Sequence, residues 1–182
     1  AGTLTGKNSE LGIQGRNGVV LAVEEINAAG GINGTPIALR NADDRNDAAA
    51  ARARDAEFAA QGVPVIVGHM TSDMSRYGLE GLAGSETIMV SPTATSTEFT
   101  GIDDQFLRVC PVNVVMADPV REYIQTKGYR RAFGIYDSNN RSYAHDYMKN
   151  FRNRITPGSP LTLTDYEFSA ERYVEAVRAF RA

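Results

Sequence analysis

The sequence predicts an α/β fold of parallel sheets covered by helices. Three observations carry that prediction. Strand-like and helix-like segments alternate along most of the chain, the pattern that parallel sheets with crossover helices produce. Val63 to Val67 is a continuous apolar run, as expected of a strand buried on both faces. Loops rich in glycine and hydroxyl groups follow the predicted strands directly, where open parallel sheets bind ligands.

The first helix is read from Gly12 to Ala29, with apolar residues at Ile13, Val19, Val20, Ala22, Val23 and Ile26. Gly30-Gly31 ends it, since glycine takes a left-handed cap freely. Asn33-Gly34 marks a tight turn, and Pro36 to Leu39 reads as a short strand. Asp47 is placed to cap an alanine-rich helix running to about Gln61. After the strand at Val63 come a loop from Gly68 to Ser72, a helix to about Ala83 and a strand from Thr87 to Val90. The rhythm continues with a strand from Gln105 to Val109. Pro111 and Pro119 flank the start of a helix that reaches about Lys127. A strand from Ala132 to Tyr136, a helix from Tyr143 to Arg154, a strand from Leu161 to Phe168 and a helix from Glu171 to Arg181 complete the chain. It opens on a loop with no strand ahead and closes on a helix with no strand behind, so a piece of something longer is expected.

Composition narrows the function. The 182 residues are 42% hydrophobic and 23% charged, an ordinary globular balance that excludes wholesale disorder. Nineteen Lys and Arg against 22 Asp and Glu give a net charge of −3. Nucleic-acid and anionic-membrane binding need a concentrated positive field, which this balance does not supply. No apolar run approaches the roughly 18 residues of a membrane-spanning helix. The single cysteine, Cys110, forbids an internal disulfide and reads as a small buried hydrophobe.

Each motif with chemical potential has a plainer reading beside it. Gly2-Thr3-Leu4-Thr5-Gly6-Lys7 resembles a phosphate loop but has one spacer residue too few and Asn8 where Ser or Thr is required. His69, Ser72 and Asp73 are triad residue types, yet neighbours on one loop do not converge as a triad must. Ser72 or Asp73 capping the next helix is the simpler account, and such a helix start also suits a carboxylate ligand. Ser91-Pro92-Thr93-Ala94-Thr95-Ser96-Thr97 follows another strand end, and two hydroxyl-rich loops at one sheet edge suit a zwitterion. Asp43, Asp44 and Asp47 lack the alternation, glycine and distant glutamate of a calcium loop, so capping and surface charge explain them. His145-Asp146 could be half a metal site, but the only other histidine is far away in sequence. No metal and no cofactor are expected. Tyr136, Tyr143 and Tyr147 read as partly buried packing, with Tyr143 also placed for ligand contact.

Several of these stretches together resemble the branched-chain amino-acid-binding family of type I periplasmic solute-binding proteins. They are Gly2 to Gly6, Leu21-Ala22-Val23-Glu24-Glu25-Ile26-Asn27-Ala28-Ala29-Gly30-Gly31-Ile32-Asn33-Gly34, Asp43-Asp44 with Asp47, Val67-Gly68-His69, Ser91 to Thr95, and Tyr136-Asp137 with Tyr143. The resemblance implies two doubly wound lobes closing on a ligand in the cleft between them. Residues 1–110 would form the first lobe without its first strand, and 111–182 the start of an incomplete second lobe, in about half the family length. It implies that Ser72 holds the ligand α-carboxylate and that the Thr93 carbonyl accepts from the α-ammonium. Thr95 would reach both groups, Tyr143 would close over the ligand from the second lobe, and Leu11 would stand where an aromatic often lines the side-chain pocket. Asn46 and Thr71 stand where some members have a disulfide.

The implied function is capture of a small amino acid or related amide, without catalysis, in the periplasm or outside the cell. The implied partner is the permease of an ABC importer, or fused signalling domains if the chain is the sensing ectodomain of a receptor. The effector-binding core of a transcription regulator shares the fold, and an enzyme on a doubly wound fold is the rival from another class. Neither nucleic acid nor direct membrane insertion is expected.

Overall fold

The computed structural model describes residues 1–6, 8–155, 158–168 and 173–181. Lys7 of the phosphate-loop comparison and Glu171 of the last predicted helix lie outside the described residues. The chain divides into two compact units, one of residues 1–94 with 103–110, the other of 95–102 with 111–182.

The first unit is built on a parallel sheet of three strands in the order β1 (Val65–Val67), β2 (Ile88–Ser91) and β3 (Phe106–Arg108). Its helices are α1 (Ser9–Ala28), α2 (Ala48–Ala60) and α3 (Ser72–Gly81). Register aligns Ile66, Met89 and Phe106 in one row, and all three are buried. The opposite face is only partly covered, with Val67 and Val90 half-buried. Val65, Ile88 and Leu107 are 48%, 40% and 57% exposed, so β1 is not buried on both faces as its apolar run predicts.

Helix α2 begins where expected, with the Asp47 carboxylate accepting from the Ala50 amide at 2.8 Å. Helices α2 and α3 approach very closely. A Cβ built on Gly81 would stand 2.3 Å from the Arg52 carbonyl oxygen. Ala51, Asp55, Ser75 and Gly78 are buried in the same region. The start of α1 is pressed on the opening segment, and a Cβ at Gly12 would lie 1.9 Å from the Thr3 carbonyl oxygen. Further along, Leu21 and Ile26 are exposed.

Residues 36–39 form no strand. The Asn27 side chain takes the place of a neighbouring strand, accepting from the Ile37 amide at 2.7 Å and donating to the Ile37 carbonyl at 3.0 Å. The Asn33-Gly34 turn is present, with φ of 51° and 81° as a type I′ turn requires, and Ile32 and Thr35 exchange both backbone hydrogen bonds across it.

The second unit pairs β4 (Arg131–Asp137) with β5 (Thr162–Phe168) in parallel, register running from Arg131–Thr162 to Asp137–Phe168. Helices α4 (Asn113–Thr126), α5 (Arg141–Asn153) and α6 (Tyr173–Arg181) belong to it. Its buried side chains include Ala117, Ala144, Met148, Phe151 and Leu161. Pro119 lies inside α4 rather than at its start. Both Pro119 and Val115, whose carbonyl loses its usual partner, face solvent, where water replaces the missing donor.

Candidate functional site

Two loops leave the carboxyl ends of β1 and β2 in the first unit and are tied to each other. The Thr93 hydroxyl donates to the Met70 carbonyl at 2.7 Å. The Ser91 hydroxyl donates to the His69 carbonyl at 2.7 Å and accepts from the Ala94 amide at 3.1 Å. Ser75 adds a second hydroxyl to the His69 carbonyl at 3.3 Å. Hydroxyls at these positions let each loop satisfy the other's backbone, so the loops form one polar rim rather than two independent segments.

Ser72 is the first residue of α3 and is 1% exposed. The cap is neither Ser72 nor Asp73, as expected, but Thr71, whose hydroxyl accepts from the Met74 amide at 3.3 Å. Thr71 alone has the extended backbone that turns its side chain back over the first turn. Ser72 therefore sits among the first-turn amides, at the positive end of the helix dipole. Asp73 is 8% exposed, with its carboxylate 3.9 Å from the Arg76 guanidinium.

The remaining predicted residues are spread over both units. Leu11, in the first turn of α1, is 47% exposed. Thr95 belongs to the second unit. Its carbonyl accepts from the Asn113 amide at 2.9 Å, while its Oγ1 is enclosed and has no hydrogen-bond partner among the described residues. Tyr143 is half-buried in the first turn of α5, its ring centroid 6.1 Å from that of Tyr147. The Thr97 segment is fixed beside Thr95 by Asp146, which accepts from the Thr97 amide and hydroxyl at 2.7 and 2.6 Å and from Asn113 Nδ2 at 2.7 Å. Asp146 thus serves as a hydrogen-bond acceptor, and no group of three or more metal-ligand residues occurs among the described residues.

Sequence reasoning missed what lies beneath the first-unit loops. Asp44 is not surface charge but is 1% exposed, and it accepts from the Thr3 hydroxyl at 2.6 Å and the Asn46 amide at 2.9 Å. His69 is fully buried between two carboxylates. Its Nδ1 is 2.7 Å from Asp44 Oδ2 and its Nε2 is 3.2 Å from Asp55 Oδ2. Both ring nitrogens therefore lie within hydrogen-bond distance of a carboxylate oxygen, and the ring is held from two sides. Burial pushes the His69 pKa down, but the hydrogen bonds to Asp44 and Asp55 and their charges outweigh it and raise it above the ordinary value. Burial likewise opposes ionisation of Asp44, and the bonds from His69, Thr3 and Asn46 hold its carboxyl below the usual range. The available signal was a histidine directly after a predicted strand, with two aspartates before and within the preceding helix, α2. Cys110, expected to be buried, is half-buried, with its thiol 3.6 Å from the Ala94 carbonyl.

The sequence profile of a family described as periplasmic binding protein matches residues 1–182. The chain belongs to the periplasmic binding protein family. Among its relatives, Leu/Ile/Val-binding protein homolog 1 of Brucella abortus is 35% identical over 97 residues, which is 53% of this chain and 26% of that protein. The leucine-, isoleucine-, valine-, threonine-, and alanine-binding protein of Pseudomonas aeruginosa is 33% identical over 100 residues, 55% of this chain and 27% of that one. Among solved structures, the branched-chain amino acid transporter substrate-binding protein LivJ of Streptococcus pneumoniae, in complex with isoleucine, superposes with a TM-score of 0.79 at 25% identity. It covers 93% of this chain and 48% of its own. The leucine-binding protein LivK of Thermotoga maritima shares the fold, with a TM-score of 0.84 at 19% identity over 99% of this chain and 51% of that one. This periplasmic binding protein chain thus spans about half the length of the solved structures it matches and has their α/β fold.

Proposed function

We propose that the chain is the ligand-capturing part of an exported solute-binding protein that holds a small aliphatic amino acid and delivers it to an ABC-type importer. The observation that carries this reading is the polar rim on the first unit, two hydroxyl loops bonded to each other at the carboxyl ends of β1 and β2. In this reading the α-carboxylate meets Ser72 and the first-turn amides of α3, where charge and dipole agree. The Thr93 carbonyl accepts from the α-ammonium, and the unpartnered Thr95 hydroxyl gains in the ligand the partner it lacks. Tyr143 and Leu11 are the further residues assigned to the ligand in this reading. The names of the relatives support leucine, isoleucine and valine as the first ligands to test. Holding by hydroxyls and dipoles gives affinity without bond-making, so the role is binding rather than catalysis.

Calorimetric titration with these three amino acids tests the reading. Ser72→Ala and Thr95→Ala should each weaken binding by about 1–3 kcal/mol, the usual cost of removing a hydrogen bond to a charged group. Affinity unchanged in both variants would refute the site.

A further inference from the structure

Beneath the polar rim is a charged cluster that binding as described does not use. His69 presents two different groups to two different parts of the unit. Its ring joins the loop after β1 to Asp44, ahead of α2, and to Asp55 within α2. Its carbonyl receives Ser91 from the last position of β2 and Ser75 from α3. The ring is held at both nitrogens, so it cannot turn, and the peptide that follows is held with it.

We infer that His69, clamped between Asp44 and Asp55, is a positioning residue that sets the Ser72 and Ser91–Thr93 loops in their ligand-binding geometry. The inference rests on the amino-acid-binding reading above. A buried cluster of titratable side chains is a poor source of stability, since well-packed apolar residues of the same volume often do as well or better. What a charged cluster supplies is direction, through hydrogen bonds of fixed length and angle. Here the direction is passed on through one carbonyl. Ser91 Oγ lies 2.7 Å from it and in turn accepts from the Thr93 and Ala94 amides at 3.4 and 3.1 Å. Three residues after His69 the chain reaches Ser72. Displacing the ring therefore displaces both ligand-facing loops, although His69 itself is sealed from any ligand.

Helix α3 provides a matched pair of variants. A Cβ at Gly78 would stand 2.8 Å from His69 Nε2 and 2.3 Å from Asp55 Oδ2. A Cβ at Gly81 would crowd the same pair of helices, 2.3 Å from the Arg52 carbonyl oxygen, without touching the cluster. Both Gly78→Ala and Gly81→Ala should lower the melting temperature. Only Gly78→Ala should weaken L-leucine binding, by about tenfold or more, the loss expected when one hydrogen bond to a charged group is misplaced. Gly81→Ala should keep the affinity of the unaltered full chain, compared well below both melting transitions. Equal affinity in the two variants, whether lowered in both or in neither, would overturn the inference. Asp55→Asn, which keeps the side-chain volume, carries the test if Gly78→Ala does not fold. It should weaken L-leucine binding several-fold, and wild-type affinity in that variant would also overturn the inference. Failure of the unaltered chain to bind L-leucine, L-isoleucine or L-valine would instead remove the functional reading itself, and the positioning role with it.

Discussion

Asn27 shows how one side chain can stand in for a strand. Its carboxamide has the same donor and acceptor as a peptide group, and it pairs both with Ile37. Replacing it with leucine leaves the Ile37 amide and carbonyl without those partners. Asn27→Leu should therefore cost about 1–3 kcal/mol, read as a lower urea midpoint with an unchanged slope. An unchanged midpoint would mean that water serves Ile37 equally well. The sequence shows an asparagine near a helix end, and nothing in its spacing says that it will bond ten residues ahead. His69 is the harder case. Its position after a strand is legible, but its two carboxylates come from 25 and 14 residues away, Asp55 on α2 and Asp44 from the segment that bonds Gly2 and Thr3. Thr71 was hidden for a smaller reason, since three polar residues in a row could each have capped α3 and only backbone geometry chooses among them.

Among elements, α1 offers a direct comparison within a single helix. Gly12 and Gly18 are both glycines in a helix interior, where alanine is favoured by about 0.5–1 kcal/mol. At Gly18 nothing stands within 4 Å of a built Cβ, so Gly18→Ala should raise stability by about that amount. At Gly12 the Cβ would meet the Thr3 carbonyl oxygen at 1.9 Å, so Gly12→Ala should lower it by about 1–3 kcal/mol through overpacking. Opposite shifts in thermal melting check both, and shifts of the same sign would discredit the close approach at Thr3. Elements were largely legible because their signals are local. Periodicity located α1, the Asp47 cap located α2, an apolar run located β1, and the alternation of strands with helices located β2 and β4. The misplaced features depended on neighbours. Residues 36–39 have strand-like composition but are paired by a side chain, and Pro119 is tolerated within α4 because the carbonyl it strands faces water. The site was legible only in part. Both hydroxyl loops could be read as lying at one sheet edge, while the bonds that join them could not.

At the scale of the whole molecule, the buried cluster makes stability depend on pH at both ends of the range. The His69 pKa is raised on folding, so its contribution is complete below the ordinary imidazole value of 6.5 and is lost as pH rises through the raised value. The Asp44 pKa is lowered, so its contribution is complete above 3.8 and is lost as pH falls through the lowered value. The melting temperature should therefore be highest between those limits and fall on both sides. His69→Gln should remove the alkaline fall, and its persistence in that variant would assign the fall to other groups.

The open side of the first sheet has a practical consequence. Val65 and Ile88 are partners in adjacent strands, and Leu107 lies on the same face beside half-buried Val90, so all three strands present hydrocarbon to water. Purified at high concentration, the chain should precipitate with added sulfate well before its folded state is lost, and should be retained on phenyl-substituted resin. Threonine at those three positions should raise its solubility limit and shorten that retention.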